Sequence, residues 1–468
     1  MSEAVTHPTA TQPGLLASLD PLLREWLPRQ RWFAGKGRPV TGFSLVAATE
    51  LLPSGGPLGL LHLLVRAHQP DVPAQSAVPH PGDCYQLLIG VREALPPRLA
   101  PALIGHPGEG PLAGRTVYEA LYDPRATAVL LEALRTRARI GRLRFEGDAR
   151  QRIREGLVPR LVTAEQSNSS VVYGDTFILK VLRRVVPGTN PDLELPLALA
   201  HEGCARVPAP AGWLLADLDG HDDSYVLGVL QPFVRGATDG WELALHELAK
   251  GADFAPEARA LGRATAEVHT ALARALPTVT LGHQRIRLLA DGMIQHLEAA
   301  AQAVPVLRPY VPGLRSAFEA LADLAAEGHT WTAQRIHGDL HLGQCLRSPS
   351  GDWSLIDFEG EPSKPLAERR MPQPAVRDVA GMFRSFDYAA HSAAPPAPQW
   401  AAACRAAYCS GYAEVTGRDP RTDPVLLRAY ETDKAVYEVL YEARHRPDWL
   451  PVPMAAIRRL SAGADATT

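Results

Sequence analysis

Within a chain of 468 residues, two neighbouring segments restrict the chemistry more than anything else. They are His337-Gly338-Asp339-Leu340-His341-Leu342-Gly343-Gln344 and Leu355-Ile356-Asp357-Phe358-Glu359-Gly360-Glu361. The carboxylates of Asp339 and Asp357 stand eighteen positions apart, and the amide of Gln344 follows the first by five. The apolar run Trp353-Ser354-Leu355-Ile356 suits a strand that ends by delivering Asp357 to a fixed place. Magnesium takes hard oxygen ligands, and a neutral amide beside one carboxylate limits the negative charge gathered next to a polyphosphate. A lone Asp would read as the cap of a helix or turn. The ordered set of three points instead to a general base next to a cation site.

This order and spacing is the one from which protein kinases build phosphoryl transfer, H-R-D-x-x-x-x-N followed by D-F-G. In that pattern Asp339 takes the proton of the attacking hydroxyl, while Gln344 and Asp357 hold Mg²⁺ against ATP. The same chemistry needs a strand lysine on the phosphates and a helix glutamate to orient it. Lys180, closing Phe177-Ile178-Leu179, is the candidate lysine, and Glu194, in Asn190-Pro191-Asp192-Leu193-Glu194, is its expected partner. Either one alone would read as a solvated strand end or an acid near a helix N-terminus. No G-x-G-x-x-G precedes Lys180; Glu165-Gln166-Ser167-Asn168-Ser169-Ser170 stands there, which makes Ser167 and Ser169 the candidates for covering phosphate. Val229 to Val234 falls where an interlobe hinge would run, so Gln231, Phe233 and Val234 are expected to line the adenine edge. No Ala-Pro-Glu segment follows Asp357, which argues against a protein substrate.

Composition removes other classes. Hydrophobic residues make up 46% and charged residues 21%, ordinary for a chain with a sizeable core, and the net charge of −3 gives no reason to expect nucleic-acid or membrane-surface binding. The five cysteines, Cys84, Cys204, Cys345, Cys404 and Cys409, lack C-x-x-C spacing and read as free thiols of a reducing compartment. The N-terminus has no basic start or apolar segment of signal-peptide length, and no apolar run approaches membrane-spanning length. A cytoplasmic protein is the expectation.

Periodicity and Pro/Gly punctuation divide the chain. Residues 1–13 read as a tail, followed by a helix from Pro21 to Leu27. Strands are expected at Phe43–Ala48, Leu60–Arg66 and Tyr85–Val91, with a Pro-rich hairpin loop from Pro70 to Pro81. The cluster from Gly105 to Gly114 marks a boundary, after which Thr116 to Leu134 is expected to be helical, kinked or broken at Pro124. A strand pair over residues 171–181 turns at Gly174-Asp175, and Tyr225 to Pro232 forms another strand. Beyond Gly240 the pattern is helical apart from the site loops at 336–376. The expected domains are 1–110, a nucleotide-binding 111–234 and a helical 235–468.

Several of these segments resemble the bacterial maltokinases. They include Trp26 with Gln30-Arg31-Trp32-Phe33, the stretch from Glu165 to Asp175, and Gly188-Thr189-Asn190-Pro191-Asp192. They continue through His337–Gln344, Asp357 to Pro362, Pro365 to Arg370, and Arg377 to Ala389. Ala34 and Cys345 depart from the pattern without touching chemistry. The resemblance implies an α+β fold of the aminoglycoside phosphotransferase and protein-kinase type. Its small β-rich N-lobe would carry an extra N-terminal cap, and its C-lobe would be large and helical. It further implies ATP- and Mg²⁺-dependent phosphorylation of maltose at the anomeric hydroxyl, giving maltose 1-phosphate for α-glucan assembly from trehalose, with trehalose synthase as a partner. Glucosamine is the competing sugar. By position, the resemblance makes Asp339 the base, Gln344 and Asp357 the metal ligands, and Lys180 with Glu194 the phosphate-orienting pair.

Two further groups stand out. Arg377-Asp378 is placed to tie the catalytic loop to the following helix by hydrogen bonds. Lys434, Tyr437, Glu438 and Tyr441 recur at three- and four-residue steps, hence on one helix face. With His341, the residues Lys434, Glu438 and Tyr441 are the candidates for binding sugar; a Tyr stripe packed as core is the alternative. His201, His269 and His283 have no ligand spacing and read as surface or satisfied core residues.

Overall fold

A computed structural model describes residues 14–70, 82–162, 167–218, 220, 222–361 and 364–462. The expected tail at 1–13, the loop between Pro70 and Gly82, and Glu165, Gln166 and Pro362 lie outside the described residues. The chain forms two compact units, one of residues 1–193 and 209–235, the other of 194–208 and 236–468.

The first unit holds two antiparallel sheets. One runs in the order Gly42–Leu52, Gly59–His68, Cys84–Arg92, Thr116–Glu119, Leu103–Gly105, with Arg184–Val185 added beside Cys84–Arg92. The other runs Arg139–Ile140, Leu143–Gly147, Gly212–Ala216, Tyr225–Pro232, Phe177–Val181, Ser169–Tyr173, Pro159–Val162. The helix Leu15–Trp26 repeats an apolar residue every fourth position, and Leu15, Leu19, Leu23 and Leu27 are buried as one stripe. It packs with Phe33 onto Leu61, Leu63 and Val65 of one strand and Tyr85, Leu87, Ile89 and Val91 of the next. All nine residues of Cys84–Arg92 are buried, because its even-numbered side chains meet protein on the opposite face. There Gln86 donates from Nε2 to the main-chain oxygens of Leu182 and Leu227, both at 2.7 Å, and accepts from His62 Nε2 at 2.9 Å. Burial lowers the His62 pKa to about 4, so its ring is neutral.

The expected helix over Thr116–Leu134 is corrected. Thr116–Glu119 is a strand paired with Cys84–Arg92, and the helix begins only at Pro124. The physical reason lies in the sequence: Thr, Val and Tyr favour a pleated surface, Asp123 caps through Arg125 N–H, and Pro124 belongs in a first turn.

The second unit is helical. Its core is organised around Ala255–Ala275, packed against Pro398–Thr416 so closely that a Cβ on Gly262 would lie 2.0 Å from the Tyr408 oxygen. A three-stranded sheet of Thr238–Asp239, Cys345–Arg347 and Trp353–Leu355 carries the loops singled out in sequence. Trp353 anchors it, buried at 1% exposure with its indole N–H 3.2 Å from Glu257. The five cysteines are free thiols.

Phe33 is 2% exposed and touches the Tyr85 ring at a centroid distance of 5.2 Å. Truncating a buried aromatic typically costs about 3–5 kcal/mol. Phe33→Ala is therefore expected to lower the melting transition of the first unit by several degrees in differential scanning calorimetry, and an unchanged transition would contradict this packing.

Candidate active site

The helix Val376–His391 supplies the frame for the His337–Gln344 loop. Asp378, in its first turn, accepts the main-chain N–H groups of His337 at 2.8 Å and Gly338 at 2.9 Å. The same carboxylate meets His269 Nε2 at 2.9 Å, and His269 Nδ1 meets the Tyr412 hydroxyl at 2.9 Å. Burial pushes the Asp378 carboxyl up, but the hydrogen bond and charge of His269 outweigh it and the net shift is downward. One turn on, a Cβ at Gly381 would lie 2.6 Å from the Leu340 oxygen, so only glycine permits this approach. Another turn on, Ser385 Oγ accepts the Leu342 N–H at 3.0 Å. Three positions on one helix face thus hold the whole loop.

His337 joins the two sequence motifs. Its Nε2 donates to the Ile356 oxygen at 2.9 Å, and its ring packs 4.7 Å from that of Phe358. Between those residues Asp357 adopts φ 65°, a left-handed conformation that is sparse for a side chain with a Cβ and recurs at functional sites. Gln344 donates from Nε2 to Asp357 Oδ2 at 2.8 Å, and the Ile356 N–H donates to the main-chain oxygen of Gln344 at 3.0 Å. Turning the amide over would present an oxygen beside the carboxylate, so this donor set fits a hard divalent cation.

Asp339 bonds Lys434 Nζ at 2.9 Å. Burial opposes ionisation of Asp339, yet Lys434 and then His341 hold its pKa down at about 2. Burial likewise opposes the charge on Lys434, and Asp339, Glu361 and Glu438 more than compensate, raising its pKa. His341 is shifted down by burial, and its Nδ1 accepts the Gly343 N–H at 3.1 Å. The cleft around Asp339 is lined by Glu361, Arg377, Asp378, Tyr430, Asp433, Lys434 and Tyr437 among others. Every carboxylate in that lining faces a basic group: Lys434 beside Asp339, Arg377 at 3.2 Å from Glu361, His269 beside Asp378, and His296 at 3.6 Å from Asp433. The neighbouring Asp433 carboxylate raises the His296 pKa.

The sugar candidates separate. Lys434 reaches Asp339, and its ammonium sits 5.2 Å from the Tyr437 ring centroid. Tyr441 is 41% exposed and stacks on Tyr437 at 6.2 Å. Glu438 is buried and accepts from Arg384 Nε at 2.8 Å, part of an ion network with Asp387, Arg405, Glu431 and Arg459. Desolvation raises its pKa despite Arg384 and Lys434. Glu361, Arg377 and Asp433, absent from the sequence-derived site, line the cleft. Asp433 was visible beside Lys434, but nothing in the pattern distinguished it from a solvated acid.

In the first unit, Lys180 donates to Asp192 Oδ2 at 2.8 Å. The expected pairing of Lys180 with Glu194 is corrected: Glu194 bonds Arg335 at 2.6 Å and Arg370 at 3.4 Å within the second unit. Asp192 and Glu194 belong to one helix, Pro191–His201, two positions and about 200° apart, so they face opposite ways. Ser167 is exposed, while Ser169 Oγ accepts from Arg183 Nε at 2.9 Å. Gln231 sits opposite Ile178 in the sheet, and the Phe233 N–H donates to the Thr176 oxygen at 2.9 Å, with Val234 half-buried beyond it.

Residues 26–123 match the maltokinase N-terminal cap domain, and residues 157–418 match the phosphotransferase enzyme family. A glucosamine kinase of Streptacidiphilus jiangxiensis is 30% identical over 322 residues, 63% of this chain and 71% of that protein. One from Mycolicibacterium smegmatis is 30% identical over 326 residues, 64% of this chain and 79% of that protein. A solved glucosamine kinase in complex with glucosamine, ADP and inorganic phosphate superposes with a TM-score of 0.68 at 23% identity, covering 97% of this chain and 100% of that one. The architecture is accordingly the α+β, kinase-like phosphotransferase fold, with a β-rich first unit that bears the cap and a helical second unit. No helix among the described residues is long and apolar enough to cross a membrane.

Because Lys434 is the main counterweight to burial, Lys434→Met should release the Asp339 pKa upward from about 2, past the ordinary carboxylate value. The variant therefore needs a higher pH to keep Asp339 ionised. Carboxyl-carbon NMR titration of both proteins checks this, and an unmoved Asp339 pKa would refute it.

Proposed function

The chain belongs to the phosphotransferase enzyme family and bears a maltokinase cap domain, and on that premise we propose that it transfers the γ-phosphoryl group of ATP to the anomeric hydroxyl of maltose, giving maltose 1-phosphate and ADP. The observation that carries the choice of sugar is the segment of residues 26–123, which matches the maltokinase N-terminal cap domain. In the Asp339 cleft, Asp339 and Glu361 face the cations Lys434 and Arg377, while Asp378 and Asp433 face the imidazoles of His269 and His296. The hydroxyls of a neutral disaccharide can bond the donors and acceptors already present there. The relatives named glucosamine kinase support the competing reading, in which an aminosugar is the acceptor.

In the proposed reaction the sugar O1–H proton passes to Asp339 as O1 forms its bond to the γ-phosphorus and the bond to ADP breaks. Lys434 keeps Asp339 ionised and ready to accept. It also places a positive charge where negative charge collects during transfer. Lys180, steadied by Asp192, holds the nucleotide phosphates. Ser167 and Ser169 cover the phosphates, while Gln231, Phe233 and Val234 border the adenine. Mg²⁺ held by Asp357 and Gln344 would neutralise charge on the phosphates. Tyr437 and Tyr441 offer ring faces to the sugar, and His341 lies beside the base. The product is the kind of activated sugar that an α-glucan-building enzyme consumes, and an enzyme converting trehalose to maltose is the matching supplier.

Asp339→Asn keeps size and hydrogen bonding but removes the base, so kcat should fall by about 10²–10⁴ with the melting curve preserved. Near-normal turnover in the folded variant would exclude Asp339 as the base. For the acceptor, coupled ADP-release assays over a sugar panel decide: maltose is expected to give a kcat/KM at least about tenfold above glucosamine, a difference of roughly 1.4 kcal/mol. The reverse ranking would assign an aminosugar.

A further inference from the structure

Arg183 follows the Lys180 strand, at the point where the chain leaves the nucleotide-binding sheet and pairs through Arg184–Val185 with the cap strand Cys84–Arg92. Its side chain is only 2% exposed. Toward the cap, its guanidinium lies 4.7 Å from the Trp32 ring centroid and 3.2 Å from Glu119 Oε2, and its main-chain oxygen accepts the Gln86 N–H at 2.8 Å. In the other direction Nε donates to Ser169 Oγ at 2.9 Å, and the main-chain N–H donates to Asn168 Oδ1 at 3.2 Å. One side chain therefore grips two cap residues and the segment read above as the phosphate cover.

A buried guanidinium is a poor device for stability alone, since an apolar side chain of similar volume often serves as well or better. What it does supply is a rigid plane that stacks on an indole while its edge holds a hydroxyl in one orientation. Ser169 Oγ, used as an acceptor by Arg183, keeps its own proton to donate to an anion, and accepting one hydrogen bond strengthens the other. We propose that Arg183 is a positioning residue, through which the cap sets the Ser167–Ser170 segment for ATP. The cap then contributes to nucleotide affinity without touching the nucleotide. This rests on the assignment of the nucleotide site to the first unit.

The test compares KM for ATP, KM for the sugar turned over fastest, and melting temperature in Arg183→Met, Arg183→Lys and Glu119→Gln, with Lys180→Ala as a control on the site itself. Arg183→Met should raise the ATP KM about tenfold, as for loss of a charged hydrogen bond, and leave the sugar KM within twofold. Arg183→Lys keeps the charge but not the plane, and should fail to restore the ATP KM. Glu119→Gln, the variant safest for folding, should raise it about threefold. An unchanged ATP KM in folded Arg183→Met, or in Glu119→Gln should the former not fold, overturns the proposal when Lys180→Ala has lost ATP affinity. So does an equal rise in both KM values. Unchanged ATP affinity in Lys180→Ala overturns the assignment of the site and the proposal with it.

Discussion

Asp378 accepts two consecutive main-chain N–H groups while buried at 1% exposure, and the His337–Gln344 loop has its shape because of that contact. An isolated carboxylate in such surroundings would take up a proton rather than remain charged. Here His269 supplies a matched partner whose far nitrogen is in turn held by Tyr412, so the charge is retained and its acceptor strength with it. Removing the carboxylate would leave two main-chain donors without an acceptor in a dry place, each costing about 1–3 kcal/mol. His337 then carries the constraint onward to the Ile356 oxygen, next to Asp357. The segments that carry Asp339 and Asp357 are thereby held relative to each other by two buried side chains, Asp378 and His337, that close onto main-chain groups.

Charge balance is the second constraint. Asp339 and Lys434 support each other, since burial works against the charge on each and each is the leading countercharge of the other. Behind Lys434 the same helix brings Glu431 and Glu438 to Arg405 and Arg384, with Asp387 between the two arginines. Such a network contributes little net stability compared with apolar packing, because each ion loses its water. It does fix the angular setting of the helix Pro424–His445, on which the distance from Lys434 to Asp339 depends. Glu438 also bears on Lys434 directly, as one of the charges that raise its pKa.

What could be read in the sequence was local and chemical. The spacing of Asp339, Gln344 and Asp357 is set by a short hairpin, so it survives as a linear pattern, and the bond between Gln344 and Asp357 follows from it. The Lys180 partner was misread because sequence proximity does not give helical phase: Asp192 and Glu194 differ by two positions, which reverses the direction of the side chain. Thr116–Glu119 was misread because Tyr118 and Leu121 fit a helical stripe as well as they fit a strand followed by a tight turn. Glu438 stood out as a sugar candidate by its four-residue step from Lys434, whereas its bond to Arg384, far away in sequence, could not be read there.

The cap shows why such errors gather where two sheets meet. Strand Cys84–Arg92 is buried on both faces, so the polar-apolar alternation that would reveal an outer surface is missing. Gln86 reads as an interruption in an apolar run, although it is the residue whose amide reaches the main chain at Leu182 and Leu227. Those two oxygens flank the strand that carries Lys180 and the strand opposite it. A leucine at position 86 would fill the space but take the Gln86 donor from the Leu182 oxygen and leave the Leu227 oxygen with only the Leu182 N–H, and a lost buried hydrogen bond is more costly than a lost apolar contact of the same size. The polar residues buried at this junction, His62, Gln86 and Arg183, thus have one common explanation. They join a sheet that carries no chemistry to a sheet that carries the lysine, and they do it through hydrogen bonds whose directionality apolar packing cannot reproduce.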